Sequence, residues 1–258
     1  MKYDDLFEPL AEIARRAGDA ILEVYAREDF DVSAKSDDSP LTEADRRANR
    51  IICDALREQY PDIPIISEEN KQLDYEERKN WNRCWMVDPL DGTKEFVRRN
   101  GEFTVNIALI EEGRSVFGVV YIPVAGRLYL GAKGMGSFEV SDSENHQLTA
   151  SRYALTDEGL VIVGSRSHMN DLTKNFILSF QNPEIVARGS SLKFLTIAEG
   201  NAHIYPRLAP TMEWDTAAAQ IILEEAGGSV IDRETQQPLQ YNKANLLNPH
   251  FIASGTVV

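Results

Sequence analysis

Leu6, Leu10, Ile13, Ala17, Ile21 and Val24 recur at three- and four-residue steps, the period of an amphipathic helix, and predict one over most of Asp4 to Arg27. A second helix is expected after the turn at Ser39-Pro40. Thr42, with Asp45 three residues later, resembles a capping box, and Ala48, Ile51, Ile52, Ala55 and Leu56 form the apolar stripe that follows. From Ile63 the pattern becomes that of strands. Short runs rich in β-branched and aromatic residues, Ile63 to Ser67, Arg83 to Asp88, Phe103 to Glu111, Ser115 to Ile122 and Arg127 to Gly131, predict a largely antiparallel meander. The Gly131, Gly134, Gly136 cluster lies between strand-like runs and not before a helix, so it reads as a hairpin turn in preference to a phosphate loop.

The polar, aperiodic stretch Ser141 to Gln147 is the expected boundary between two halves, residues 1–145 and 146–258. Beyond it the elements alternate. Strands are expected at Leu160 to Gly164, Glu184 to Arg188, Ala202 to Pro206, Ser229 to Asp232 and Phe251 to Ser254. Helices are expected at Asp171 to Phe180, at Ser191 to Glu199, and from Trp214 to the Gly227-Gly228 stop. Such alternation argues for an α/β second half with helices on the faces of its sheet.

Composition narrows the partners. The chain has 258 residues, 43% of them apolar, enough for a sizeable core without staples. Cys53 and Cys84 have neither CxxC spacing nor the density of a disulfide framework, so two reduced thiols in a cytoplasmic protein are expected, with peripheral inner-membrane association as a secondary expectation. No apolar run approaches a membrane span or a signal peptide. A net charge of −14 argues against a nucleic-acid backbone as partner, since that affinity comes from Lys and Arg displacing counterions. An anionic substrate must therefore be drawn in locally, by bound divalent cations and a few placed basic side chains.

The segment Trp85-Met86-Val87-Asp88-Pro89-Leu90-Asp91-Gly92-Thr93 runs an apolar strand into two carboxylates and a Gly. Asp88 and Asp91 could simply hydrogen-bond the backbone of a turn. With the Leu90 carbonyl between them they could equally hold Mg²⁺, because hard cations prefer carboxylate, carbonyl and water oxygens. Glu68 and Glu69 end another apolar strand, and Asp215 starts a helix; solvated charges and a macrodipole acid are their bland readings.

Glu68-Glu69, Asp88-Pro89-Leu90-Asp91-Gly92-Thr93 and Trp214-Asp215 together resemble, in order and spacing, the signature motifs of the inositol monophosphatase superfamily. The resemblance runs over nearly the whole chain. It implies an α/β fold, a layered α/β/α/β/α sandwich of the inositol monophosphatase and fructose bisphosphatase type, with two or three Mg²⁺ ions between the halves and inhibition by Li⁺. It makes Glu68, Asp88, Asp91, Asp215 and the Leu90 carbonyl the metal ligands. Thr93 would orient the attacking water, and Asp45 would pair with the Thr93 hydroxyl and accept a proton. Backbone N–H groups at Gly92 and Thr93 would add donors for the phosphate. Haloacid-dehalogenase, P-loop and Cys-phosphatase motifs are missing, and His146, His168, His203 and His250 are too scattered for zinc.

Within the superfamily, Gly164-Ser165-Arg166-Ser167-His168, Gly189-Ser190-Ser191-Leu192-Lys193 and Tyr205-Pro206-Arg207 resemble the 3'(2'),5'-bisphosphate nucleotidases. That implies hydrolysis of the 3'-phosphate of adenosine 3',5'-bisphosphate (pAp), with 3'-phosphoadenosine 5'-phosphosulfate as a further candidate, in sulfur metabolism. Lys193 and Arg207 would bind the second phosphate, and Ser190 and His168 would contact the nucleotide. Inositol monophosphatases carry a Glu seven residues before the second-half metal Asp. Here that position is Leu208, which would better cover a base than bind a sugar hydroxyl. An inositol monophosphatase and a non-catalytic nucleotide sensor remain the alternatives.

Overall fold

The computed structural model describes residues 2–27, 32–34, 40–141, 144–165 and 170–258. A 3-10 turn, Tyr3–Leu6, leads into α1 (Phe7–Tyr25); the short pair β1 (Val32–Ala34) and β2 (Pro40–Thr42) precedes α2 (Glu43–Gln59). Then come β3 (Ile65–Ser67), α3 (Tyr75–Arg78), β4 (Arg83–Asp91), α4 (Thr93–Val97), β5 (Thr104–Glu111), β6 (Arg114–Ile122), β7 (Arg127–Ala132), β8 (Gly136–Val140) and β9 (Asn145–Gln147). These seven strands form one sheet in chain order, antiparallel throughout except between β3 and β4. The meander and the β7–β8 hairpin are as expected.

The polar stretch behaves differently from its reading as a boundary. Asn145–Gln147 pairs with Phe138–Val140, so the first sheet runs two residues past the expected division at 145. An exposed edge strand has no face to bury, and its composition carries no alternation.

The rest is β10 (Arg152–Tyr153), β11 (Val161–Ser165), α5 (Asp171–Ile177), β12 (Glu184–Arg188), α6 (Leu192–Ala198), β13 (Ile204–Arg207), a 3-10 turn Glu213–Asp215, α7 (Ala217–Glu225), β14 (Ser229–Asp232), β15 (Phe251–Ser254) and β16 (Thr256–Val257). The second sheet has the order β12-β11-β13-β15-β14, parallel among its first three strands, with β15 antiparallel to both neighbours.

Side-chain alternation builds the layers. Val105, Ile107 and Leu109 of β5 join α1 and α2 in one core, while Ala108 and Ile110 face α6 and α7 in another. That second core also takes Tyr205, Val230, Phe251 and Ala253 from the second sheet. Ile177 of α5 packs with Ile162 and Ile204 on that sheet's far side. The order is therefore helix, sheet, helix, sheet, helix, as the resemblance implied.

Helix α7 reaches its place through glycine. A Cβ on Gly118 of β6 would stand 2.3 Å from the Ala218 carbonyl oxygen, a backbone atom that cannot step aside. Gly118→Ala is expected to destabilise the protein by about 1–3 kcal/mol through overpacking, lowering the melting temperature by about 2–4 °C per kcal/mol. A scanning calorimetry trace matching the wild type would show that α7 does not press on the sheet there.

Candidate active site

The same alternation aims the acids. Trp85 and Val87 of β4 face α1 and α2, whereas Cys84 and Met86 face the second half, and Asp88 continues that side opposite Asn106 of β5. Pairing then slips between Asp88 and Asp91, where Pro89 has no N–H to give to the ladder. In the slip the Leu90 N–H donates to Asp88 Oδ1 at 3.0 Å. Gly92 follows at φ 94°, a left-handed conformation that favours glycine, and caps α4, so that Thr93 is the first residue of that helix.

Five carboxylates meet around this turn. Asp88 is 1% exposed, and its carboxyl is pushed well above the usual range, first by burial and then by repulsion from Glu68, Asp91, Asp215 and Asp45. Asp45, in the first turn of α2, is fully buried. Asp215 comes from the 3-10 turn ahead of α7. Burial, then Asp91 and Glu68, push it up to about 8, against the opposing pull of the Met212 N–H and of Arg207. Glu68 follows β3, its N–H donating to the Val87 carbonyl at 3.1 Å. The sequence-predicted acids are thus brought together.

Repelling, half-dehydrated carboxylates of this kind fit a hard divalent cation, with the Leu90 carbonyl beside them. Among the described residues no group of three or more acidic, thiol or imidazole side chains is placed, as it stands, to hold a metal ion. Mg²⁺ does not need one, since it keeps waters and is commonly held through one or two carboxylates plus substrate phosphate. Neither cysteine competes: both are buried and free, and burial raises both thiols, Cys84 to about 12.

The second half closes the site through the loop before α6. Ser190 holds a left-handed φ of 49°, and its hydroxyl donates to Asp91 Oδ2 at 2.5 Å and meets Thr104 Oγ1 at 2.8 Å. Ser191 Oγ donates to Asp91 Oδ2 at 3.3 Å and accepts from Asn106 Nδ2 at 3.0 Å, while the Gly189 N–H donates to Glu102 Oε2 at 2.7 Å. Thr104, Asn106 and Glu102 escaped the sequence reading as site residues, and Ser191 entered it only as part of the Gly189-to-Lys193 motif, with no role of its own. Asn106 left a trace, a lone amide in the apolar run of β5.

Lys193 of α6 is 7% exposed; its ammonium donates to the Ser190 carbonyl at 2.6 Å and lies over the Tyr205 ring, 5.5 Å from the centroid. Burial pulls its pKa down to about 8, Asp91 opposes that, and Arg207 adds to it. Arg207 donates from Nη2 to the Pro210 carbonyl at 2.6 Å, while its Nε is buried with no acceptor among the described residues. Two cations thus stand beside the acid cluster. Leu208 departs from expectation: at 1% exposure it belongs to the core and offers no surface to a base. His168, with Arg166 and Ser167, lies outside the described residues.

The chain is 43% identical over 252 residues to the 3'(2'),5'-bisphosphate nucleotidase CysQ of Escherichia coli (strain K12), covering 96% of this chain and 99% of that protein. CysQ of Haemophilus influenzae is 32% identical, with 98% and 93% covered. The crystal structure of CysQ from Bacteroides thetaiotaomicron, described as a bacterial member of the inositol monophosphatase family, superposes with a TM-score of 0.83 at 39% identity over 96% of each chain. The IMPase of Thermotoga maritima superposes with a TM-score of 0.78 at 28% identity, with 97% and 92% covered. Enzymes of this family are in general Mg²⁺-dependent phosphatases. The sequence model of the inositol monophosphatase family matches residues 2–256, so both sheets and all five clustered acids fall inside it, and the chain belongs to that family.

Proposed function

We propose that this protein is a Mg²⁺-dependent 3'(2'),5'-bisphosphate nucleotidase that hydrolyses the 3'-phosphate of pAp to give AMP and phosphate. The observation that carries the reading is the buried Lys193 and the half-buried Arg207 set beside the acid cluster, two cations that suit a substrate with two phosphates. The names of its 43% and 32% identical relatives agree.

Glu68, Asp88, Asp91, Asp215 and the Leu90 carbonyl would hold two or three Mg²⁺ ions. Such ions lower the pKa of a water and offset charge on the phosphoryl oxygens. Thr93 would orient the water. Its helix α4 lies beside β2, whose last residue, Thr42, precedes α2, so that Asp45 stands on the neighbouring element to take up a proton. Backbone N–H groups at Gly92 and Thr93 would add donors for the phosphate, and the Ser190 hydroxyl, bonded to Asp91 Oδ2, would keep Asp91 in place. Lys193 and Arg207 would bind the 5'-phosphate, whose binding energy helps set the 3'-phosphate against the acids. No helix of the described residues is long and apolar enough to cross a membrane.

Turnover of pAp, adenosine 3'-monophosphate, inositol 1-phosphate and fructose 1,6-bisphosphate, compared with Mg²⁺ present, tests the assignment. The expected order places pAp first. Lys193→Ala should lower kcat/KM for pAp by about 10- to 100-fold, the loss of one charge-assisted contact, and change that for the monophosphate little. Equal losses on both substrates would remove Lys193 from the second-phosphate site. Inositol 1-phosphate outperforming pAp would overturn the nucleotidase reading.

A further inference from the structure

Glu68 sits in the turn Ser67–Asn70, and both ends of that turn are tied to α2 by one amide. Asn49 lies on α2 four residues after Asp45, hence on the same helical face. Its Oδ1 accepts from Ser67 Oγ at 2.7 Å and from the Cys53 thiol at 3.2 Å; its Nδ2 donates to Asn70 Oδ1 at 3.0 Å. Asn70 N–H closes the turn on the Ser67 carbonyl at 3.2 Å, and Gln72 Nε2 braces it from outside, donating to the Ser67 and Asn70 carbonyls at 2.6 and 3.1 Å. Ser67 and Cys53 are buried, so breaking one of these bonds leaves a polar group without water to replace its partner.

We propose that Asn49 is a positioning residue for Glu68, fixing the Glu68 carboxylate against Asp88 and Asp45 by clamping its turn to the helix that carries Asp45. Asn49 touches neither substrate nor metal in this role. Like the outer partners of metal-ligating side chains generally, it acts by denying its ligand other positions.

The inference rests on the reading of Glu68 as a Mg²⁺ ligand, and the experiment separates the two. Binding of Mn²⁺, a spectroscopic substitute for Mg²⁺, is followed on the full chain by the electron paramagnetic resonance of the free ion, for the wild type, Glu68→Gln, Asn49→Ala and Ser67→Ala. Asn49→Ala and Ser67→Ala should each weaken Mn²⁺ binding about tenfold, raise the Mg²⁺ needed for half-maximal turnover by a similar factor, and leave KM for pAp at saturating Mg²⁺ unchanged. A residue that merely stabilised the fold would lower the melting temperature without moving the Mn²⁺ affinity of the folded protein. Wild-type Mn²⁺ affinity in both variants, with Glu68→Gln impaired, overturns the positioning role. Unimpaired binding by Glu68→Gln overturns the metal reading and this inference with it. If Asn49→Ala does not fold, Ser67→Ala alone decides, because it removes one hydroxyl and leaves the helix intact.

Discussion

Asp88→Asn should cost about a thousandfold in turnover of pAp while leaving the metal-free protein as stable as the wild type or more so. The two effects come from one cause. Asparagine keeps an oxygen to accept the Leu90 N–H that Asp88 accepts at 3.0 Å, so the Asp88–Asp91 turn has no reason to open. What disappears is a buried carboxyl that can ionise only against burial and the repulsion of Glu68, Asp91, Asp215 and Asp45. The ionised carboxylates are tolerable together only when cations stand between them, and without metal the site must hold protons instead, so removing one acid relieves the metal-free fold as it cripples cation binding. Turnover at saturating Mg²⁺ and melting in EDTA are the two measurements. Wild-type turnover would exclude Asp88 from the chemistry, and a melting temperature several degrees lower in EDTA would mean its role is structural.

The metal-free protein should lose stability as pH rises from 5 to 8, and the stabilisation given by Mg²⁺ should grow over the same interval. In the unfolded chain an Asp carboxyl ionises near 4. Folded, Asp215 holds its proton up to about 8, and Asp88 is also pushed well up, both chiefly by burial. Between those values the folded state binds more protons than the unfolded state, so its stability falls with rising pH. Each such proton is worth at most about 1.4 kcal/mol per pH unit, or about 3–6 °C in melting temperature for a chain of this size. Mg²⁺ binds the ionised acids and reverses the trend. The window stops at pH 8 because Lys193, pulled down to about 8 by burial, binds fewer protons folded than unfolded above that pH and contributes the opposite slope. Melting curves in EDTA and in saturating Mg²⁺, for wild type and Asp215→Asn, check this. A flat wild-type profile in EDTA, or an equal slope in Asp215→Asn, would sink the account.

Periodicity alone marked α1 and α2, the strands of the meander and the alternating elements of the second half, because each depends on which side of a single element faces a core. Turn chemistry marked the hairpin at Gly134, and the family resemblance carried by the motifs marked Glu68, Asp88, Asp91 and Asp215 where their spacing alone left bland readings open. The same locality hid Asn145–Gln147, an exposed edge strand whose side chains need not alternate. It also misled at Leu208, which reads as a base-covering residue by its distance from Asp215 but is taken up by the core. Only the tertiary structure decided the convergence. Asp215 reaches Asp91 because α6 and α7 fill the space between two sheets, and Gly118 lets α7 approach closely enough. Ser190, Ser191 and Asn106 meet around Asp91 across about a hundred residues of chain, and Asn49 finds Ser67 and Asn70 across a helix and a strand. A sequence records each residue's local preference for helix, strand or turn; which polar groups share a dehydrated site is set by packing between elements distant in the chain.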